Sequence, residues 1–336
     1  MLKLGYPYVG IFLMKSYRIH ISKASKGLKP DQVAKAYNFP QDVDVSKQLV
    51  TILELGGMYN YFDTMLYCRN NNYKYPKLAS CTTGDTFEFP SDADGEVSLD
   101  IDVIAGVAQG CTIITVFAPN SDQGFINGLL KCMSFNPDAI SVSWGGPLST
   151  WSSSTATKID SILKKAHDLG ISVYCASGDD GSSDGLEGNN VDYPACSPWA
   201  IACGGTHLEI NKDGSRLSET SWSDSGGGIS PTGRKSPDIS GNADPETGYE
   251  ISIDFMPNTI GGTSAVAPLY AAYQCILNAK AGKRVTDMKS KFYASPECFY
   301  DIIIGSNGTY QAGPGIDEVT GLGVLDGLKF IQKYAK

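Results

Sequence analysis

Between residues 48 and 205, short β-rich runs alternate with helix-like segments: QLVTILEL, EVSLDIDVIAGVAQG, TIITVFAP, AISVSWG, TATKIDSILKKAHDLG and ISVYCAS. Strands joined through helices pair in parallel, and a parallel sheet of such apolar strands has to be covered on both faces. The alternation therefore predicts a doubly wound α/β sandwich with a mostly parallel central sheet. In that architecture the loops beyond the carboxyl ends of the strands converge on one crevice, into which helix amino termini point. ISVYCAS runs directly into GDDGSSDG, and AISVS into WGGP, so both places are candidates for chemistry. From 206 to 260 the chain turns loop-rich. The glycine-rich run SWSDSGGGISPTGRKSPD has no helix entry and no lysine in the arrangement that cradles phosphate. No internal repeat is present.

With 336 residues, 42% hydrophobic and 19% charged, the chain can bury a sizeable core as a single large domain. A formal net charge of -9 argues against nucleic acid or an anionic membrane as partner, since both need clustered lysine and arginine. Nine cysteines are scattered without a CxxC pair or metal-ligand spacing, and most read as buried hydrophobes. Their odd number leaves at least one thiol unpaired within the chain, which fits a reducing compartment slightly better than a disulfide framework. Residues 4–14 are apolar, but Gly and Pro interrupt them and no A-x-A cleavage site follows, so no clear signal peptide is read there. No other run reaches the roughly 18 apolar residues of a membrane span.

GGTSA, residues 261–265, places a serine where a loop enters a helix, with small neighbours that leave its hydroxyl accessible. Ser264 is open to two roles, nucleophile or helix cap. A nucleophile needs a base, and the chain has only His20, His167 and His207. His20 lies in a poorly patterned segment, and His167 sits beside lysines on a helix that looks solvent-facing. His207 could complete a subtilisin-type Asp, His, Ser order, but it follows a strand-like run and reads better as a structural histidine. The other base is a carboxylate. Glu96 and Asp100 are four apart, on one face of a helix, where like charges would hold a proton on one of them to higher pH. The plainer alternative is an exposed acidic face, which the apolar run that continues the segment weakens. Asp179 follows the strand ISVYCAS and, if protonated, could donate to an oxyanion; Asp180 competes for that role, and GDDG is also an ordinary turn sequence. Asp301, Ile302 and the AGPGID loop ending at Asp317 offer carboxylates and turn carbonyls suited to calcium, with loop-stabilising aspartates as the default.

Taken in order, AYNFP, ILELGG, DGEVSLDI, FAPN, SWGGP, SGDDGSSDG, ACGGTHL, GNADPETGYE, GGTSAVAPLYAA and YQAGPGIDEVTGLG resemble the sedolisin family of serine-carboxyl peptidases, most of all its kumamolisin-like members. The resemblance implies a subtilisin-like three-layer sandwich. It also implies Ser264 as nucleophile, Glu96 as general base, Asp100 as the acid that orients and shares a proton with that base, and Asp179 as the oxyanion-hole carboxyl. Glu54 and Trp144 would extend the network behind the base. One structural calcium ion would be held by Asp301 and Asp317 with the carbonyls of Ile302, Gly313 and Gly315. The activity the resemblance implies is endopeptidase cleavage of protein or peptide substrates in acid, by a monomer in an extracellular or acidic setting.

Two features depart from the family pattern. Residues 1–27 form a short amino-terminal segment without a recognisable prodomain, ahead of a peptidase domain at 28–336 with calcium-binding loops near its end. The stretch PTGRKS is short, which bears on cleft shape. A catalytically idle, calcium-stabilised binding module is the alternative; glycoside hydrolysis would leave Ser264 without a role. Asn307-Gly-Thr is an N-glycosylation pattern that would matter in a secreted chain.

Overall fold

The computed structural model describes residues 20–21, 27–84 and 90–336. The apolar stretch 4–14 lies outside the described residues. The described strands that organise the fold are β1 (Leu49–Glu54), β2 (Lys77–Thr82), β3 (Thr112–Phe117), β4 (Ala139–Val142), β5 (Ser172–Ala176), β6 (Ile201–Ile210), β7 (Arg216–Ser221), β8 (Ile239–Asn242), β9 (Tyr249–Ile253), β10 (Met256–Gly261), β11 (Phe299–Tyr300) and β12 (Val324–Leu325). The helices are α1 (Pro30–Ala36), α2 (Tyr61–Asn71), α3 (Asp94–Val107), α4 (Asp122–Ser134), α5 (Ser153–Asp168), α6 (Val266–Ala281), α7 (Met288–Tyr293) and α8 (Gly327–Tyr334). Ten strands make one sheet in the order β11-β12-β8-β6-β5-β4-β1-β3-β2, with β7 paired to β6. All neighbours along it are parallel except β11 on β12 and β7 on β6. β9 and β10 form a separate hairpin, whose β10 also pairs with the short strand His20–Ile21.

Both faces of the sheet are covered, as the alternation predicts. Helices α3 and α6 pack together on one face, over a core that includes Val97, Ile101, Ile104, Val266 and Leu269. Helices α4 and α5 cover the other, over Phe125, Leu129, Ile159 and Leu163. The capping serines Ser121 and Ser152 accept from the N–H groups of Gly124 and Thr155, each at 3.1 Å, and so start these two helices. Strand β2 and helix α4 were not among the predicted elements. β2 pairs on one side only at the sheet edge and most of its side chains are half-buried or exposed, so it carries no apolar run to be read.

Two local devices place the candidate site at the carboxyl edge of the sheet. After β1 the chain turns at Gly57, where φ is 77° and an added Cβ would lie 2.9 Å from the Ala93 carbonyl. Only glycine permits that approach. Asp94 Oδ1 then accepts from the N–H groups of Met58 and Ser91, both at 3.0 Å, which ties the start of α3 to the loop after β1.

The cysteines are packing residues: all nine thiols are free, and all but Cys81 are buried. Asn307 is also buried, its amide donating to the carbonyls of Ser225 at 3.1 Å and Gly227 at 3.5 Å. In the folded chain it is a structural residue rather than a glycan acceptor.

Candidate active site

Helix α3 is buried on every side from Gly95 to Val107 except at Ser98, so the acidic face is interior rather than exposed. Glu96 occupies its first turn and Asp100 the next, both fully buried. Glu54, the last residue of β1, is equally buried and accepts from Trp144 Nε1 at 2.8 Å. Trp144 stands two residues beyond the end of β4, with Ser143 between. The Ser143 hydroxyl faces both Asp100 oxygens, at 2.8 and 3.0 Å. Sequence reasoning did not single out Ser143; its position between an apolar strand and Trp144 is the only trace it leaves in the chain.

Ser264 follows β10. Gly262, at a φ of 127°, turns the chain into a short 3₁₀ turn, Thr263–Ala265, from which α6 begins. The residue before α6 is Ala265, with no side-chain cap, and the Ser264 hydroxyl instead leans on the Ser143 carbonyl at 3.4 Å. The helix-cap reading of Ser264 is thereby removed.

Burial pushes the carboxyls of Glu54, Glu96 and Asp100 well above the ordinary carboxylate range. Their neighbours add to it: Asp100 and, more weakly, Asp179 act on Glu96, Glu96 on Glu54, and Glu54 on Asp100. Opposing this, the Ser264 and Ser143 hydroxyls lie near enough to Glu96 to favour its ionised form, although neither Glu96 oxygen completes a hydrogen bond. The Ser264 hydroxyl and Glu96 form no hydrogen bond here, although proton transfer between a nucleophile and its base needs one to form. A buried carboxylate without partners beside a serine hydroxyl is costly to keep, and such features concentrate at functional sites.

Asp179 comes three residues after β5. Its Oδ1 accepts from both the N–H and the hydroxyl of Thr263, each at 2.7 Å. Asp179 and Ser264 line the same narrow cleft, about 30 Å³ in volume, together with Ser143, Thr263 and the carboxylates of Asp180, Asp184 and Asp192. Asp180 thus shares the cleft, and Asp179 is tied to the residue beside Ser264.

The remaining candidates are held elsewhere. His167 on α5 approaches Asp287 at 3.4 Å and packs on Trp199. His207 lies within β6, its Nδ1 at 2.9 Å from Asp244 Oδ2, and with Asp244 and Glu246 it forms a separate cluster whose ligand atoms lie within 4.8 Å of one another. His20 falls in the strand paired to Gly261. Asp301 Oδ2 accepts from Gly315 N–H at 2.8 Å, and Asp317 Oδ2 from Gly313 N–H at 2.9 Å, so both carboxylates grip one loop. Asp317 Oδ1 also holds the N–H groups of Val319 and Thr320, at 2.9 and 2.7 Å. The accepting carboxylate oxygens of Asp301 and Asp317 are the kind of ligand atom a hard cation takes.

The chain is similar to known peptidases along most of its length. Residues 82–323 match the subtilase family (Peptidase_S8). Kumamolisin of Bacillus sp. (strain MN-32) is 38% identical over 93% of this chain and 64% of its own length. Sedolisin of Pseudomonas sp. (strain 101) is 27% identical over 90% of this chain and 60% of its own. The chain therefore spans less than two thirds of the curated relatives' lengths. A solved structure of Pseudomonas sedolisin, described as a serine-carboxyl proteinase complexed with two molecules of pseudo-iodotyrostatin, superposes with a TM-score of 0.85 at 26% identity, over 92% of this chain and 98% of that one. Sequence and fold agree that the chain belongs to the subtilase family, as a kumamolisin-like member of the sedolisin group.

Proposed function

We propose that the chain is a serine-carboxyl endopeptidase acting in acid, with Ser264 as nucleophile, Glu96 as general base, Asp100 as its proton-sharing partner and Asp179 as the oxyanion-hole acid. The observation that carries this reading is a buried carboxylate, Glu96, with no hydrogen-bond partner and the Ser264 hydroxyl beside it. A turn about the Ser264 side chain takes its hydroxyl from the Ser143 carbonyl to Glu96. Glu96 accepts the proton as Oγ attacks the peptide carbonyl, then donates it to the leaving amine; water repeats the sequence on the acyl-enzyme. The three buried carboxyls resist holding more than one negative charge between them, and one charge is enough for a base. Glu54, held by Trp144, enlarges the group over which that charge and its protons are distributed. Asp179 must be protonated to donate to the oxyanion, since an ionised carboxylate there would oppose it. On this reading activity needs the acid form of Asp179.

The decisive experiment is incubation of denatured protein substrate from pH 3 to 7 with the protein and with Ser264→Ala. Cleavage is expected in the acidic range for the protein and is expected to vanish in the variant. Equal cleavage by the variant, or none by either, overturns the reading and leaves the binding-module alternative. A structural calcium ion is part of the same proposal: Asp301, Asp317 and the carbonyls of Ile302, Gly313 and Gly315 would hold it, and it would supply loop stability rather than chemistry.

A further inference from the structure

Ser143 meets the acid and the nucleophile at once. It is buried, directly beyond β4, and its Oγ lies 2.8 and 3.0 Å from the Asp100 oxygens and 3.2 Å from the Ser264 carbonyl. Its own carbonyl accepts the Ser264 hydroxyl at 3.4 Å. A serine hydroxyl has a single hydrogen, so these acceptors compete for it, while its lone pairs remain able to accept. Which acceptor wins depends on whether Asp100 carries a proton. An ionised Asp100 takes the hydrogen, because bonds to a charged acceptor are roughly twice as strong as neutral ones. A protonated Asp100 can itself donate to Ser143 Oγ, and the Ser143 hydrogen is then released to the Ser264 carbonyl.

We propose that Ser143 is a positioning residue of the acyl-transfer reaction, whose hydroxyl orients Asp100 and reports its protonation to the backbone of the nucleophile. This rests on the serine-carboxyl reading above. The groups facing Asp100 are Glu96 from its own helix, Glu54 from β1 and Ser143 from just beyond β4, with Asp179 facing Glu96 from beyond β5. All the charged ones are carboxyls. Hydroxyl donation from Ser143 is thus one of the few influences that favour an ionised base, acting on both Asp100 and Glu96.

The test compares Ser143→Ala and Ser143→Thr with the unaltered chain on a fluorogenic peptide that the latter cleaves, reading kcat and KM from pH 3 to 7. Removing the hydroxyl takes a donor from the ionised form, so the acidic limb of kcat/KM should move to higher pH in Ser143→Ala. At the optimum kcat should fall about tenfold or more, with KM little changed. Ser143→Thr keeps the hydroxyl and should restore the limb. A merely structural role would lower activity without moving it. Should Ser143→Ala melt below the assay temperature, Ser143→Cys, which keeps the volume but donates weakly, serves the same comparison and should show the same shift. An unmoved acidic limb in the folded variant overturns the proposal. Ser264→Ala run alongside separates the two failures: activity retained there brings down the serine-carboxyl reading, whereas loss there with an unmoved Ser143→Ala limb brings down the Ser143 proposal alone.

Discussion

Two donors aimed at one oxygen of a carboxyl group decide where its proton can sit. Asp179 Oδ1 accepts the Thr263 N–H, and the Thr263 hydroxyl, whose single hydrogen has the Gly178 carbonyl at 3.2 Å as a second acceptor, gives that oxygen a further donor when turned to it; in that arrangement the proton of the acid form sits on Oδ2. In the proposed mechanism that proton is the one given to the oxyanion, and Thr263 aims it. Asp179→Ala should lower kcat by about 10²- to 10³-fold, the usual loss for an oxyanion donor. Thr263→Val keeps the N–H and loses only the hydroxyl, so its effect on kcat should be smaller, about tenfold. Steady-state kinetics at the optimum pH measure both, and a Thr263→Val effect confined to KM would contradict the assignment. GDDG alone leaves Asp179 and Asp180 open, because the Thr263 bond that supports Asp179 in the proposal comes from 84 positions away. Ser143 was hidden for the same reason: its partners Asp100 and Ser264 lie 43 and 121 positions from it.

Helix α3 carries three buried carboxyls, not two. Asp102 points away from the site, accepting from the Ser252 N–H of β9 at 2.9 Å and facing Asp63 of α2. Burial first, then Asp63, pushes it well above the ordinary range. For such a group the folded state holds a proton that the unfolded state has already released. Its stabilising contribution is complete below the unfolded value, about pH 4, and is lost as pH rises towards the folded value. Glu54, Glu96 and Asp100 act in the same sense. We expect Asp102→Asn, which can still accept from Ser252, to be more stable than the unaltered chain at pH 7 and to differ little at pH 4. Urea midpoints at the two pH values measure this; equal changes at both would show that Asp102 does not contribute through its proton. The helix itself was legible because its apolar run is long and its acids stand four apart. The third acid was not, since Asp102 sits two residues beyond Asp100 and only the fold gives it a β-hairpin to face.

Across the whole molecule, the alternation of strands and helices was enough for the layers and for the edge where the site lies. It could not give the short closing strands β11 and β12, two residues each, because a run that short has no periodicity. That edge is also where the proposed calcium ion would act. The segment leaving β11 carries Asp301 and Ile302, and the loop returning towards β12 carries Gly313, Gly315 and Asp317, so an ion between them would cross-link both ends of the excursion. At a concentration 100 times its dissociation constant, a bound ion stabilises the fold by about 2.7 kcal/mol. In a chain of this size that is a shift of several degrees in Tm, on the order of 5 °C. Chelation should therefore lower Tm by about that much, with calcium restoring it and magnesium, smaller and strict in its octahedral geometry, failing to. Asp301→Ala is the better variant for the test. Asp317 also holds the N–H groups of Val319 and Thr320, so its loss would destabilise the loop whether or not an ion binds. If Asp301→Ala melts at the temperature of the chelated protein and no longer responds to calcium, the site is the ion's. If chelation leaves Tm unchanged, the two aspartates serve only as acceptors for the loop's N–H groups.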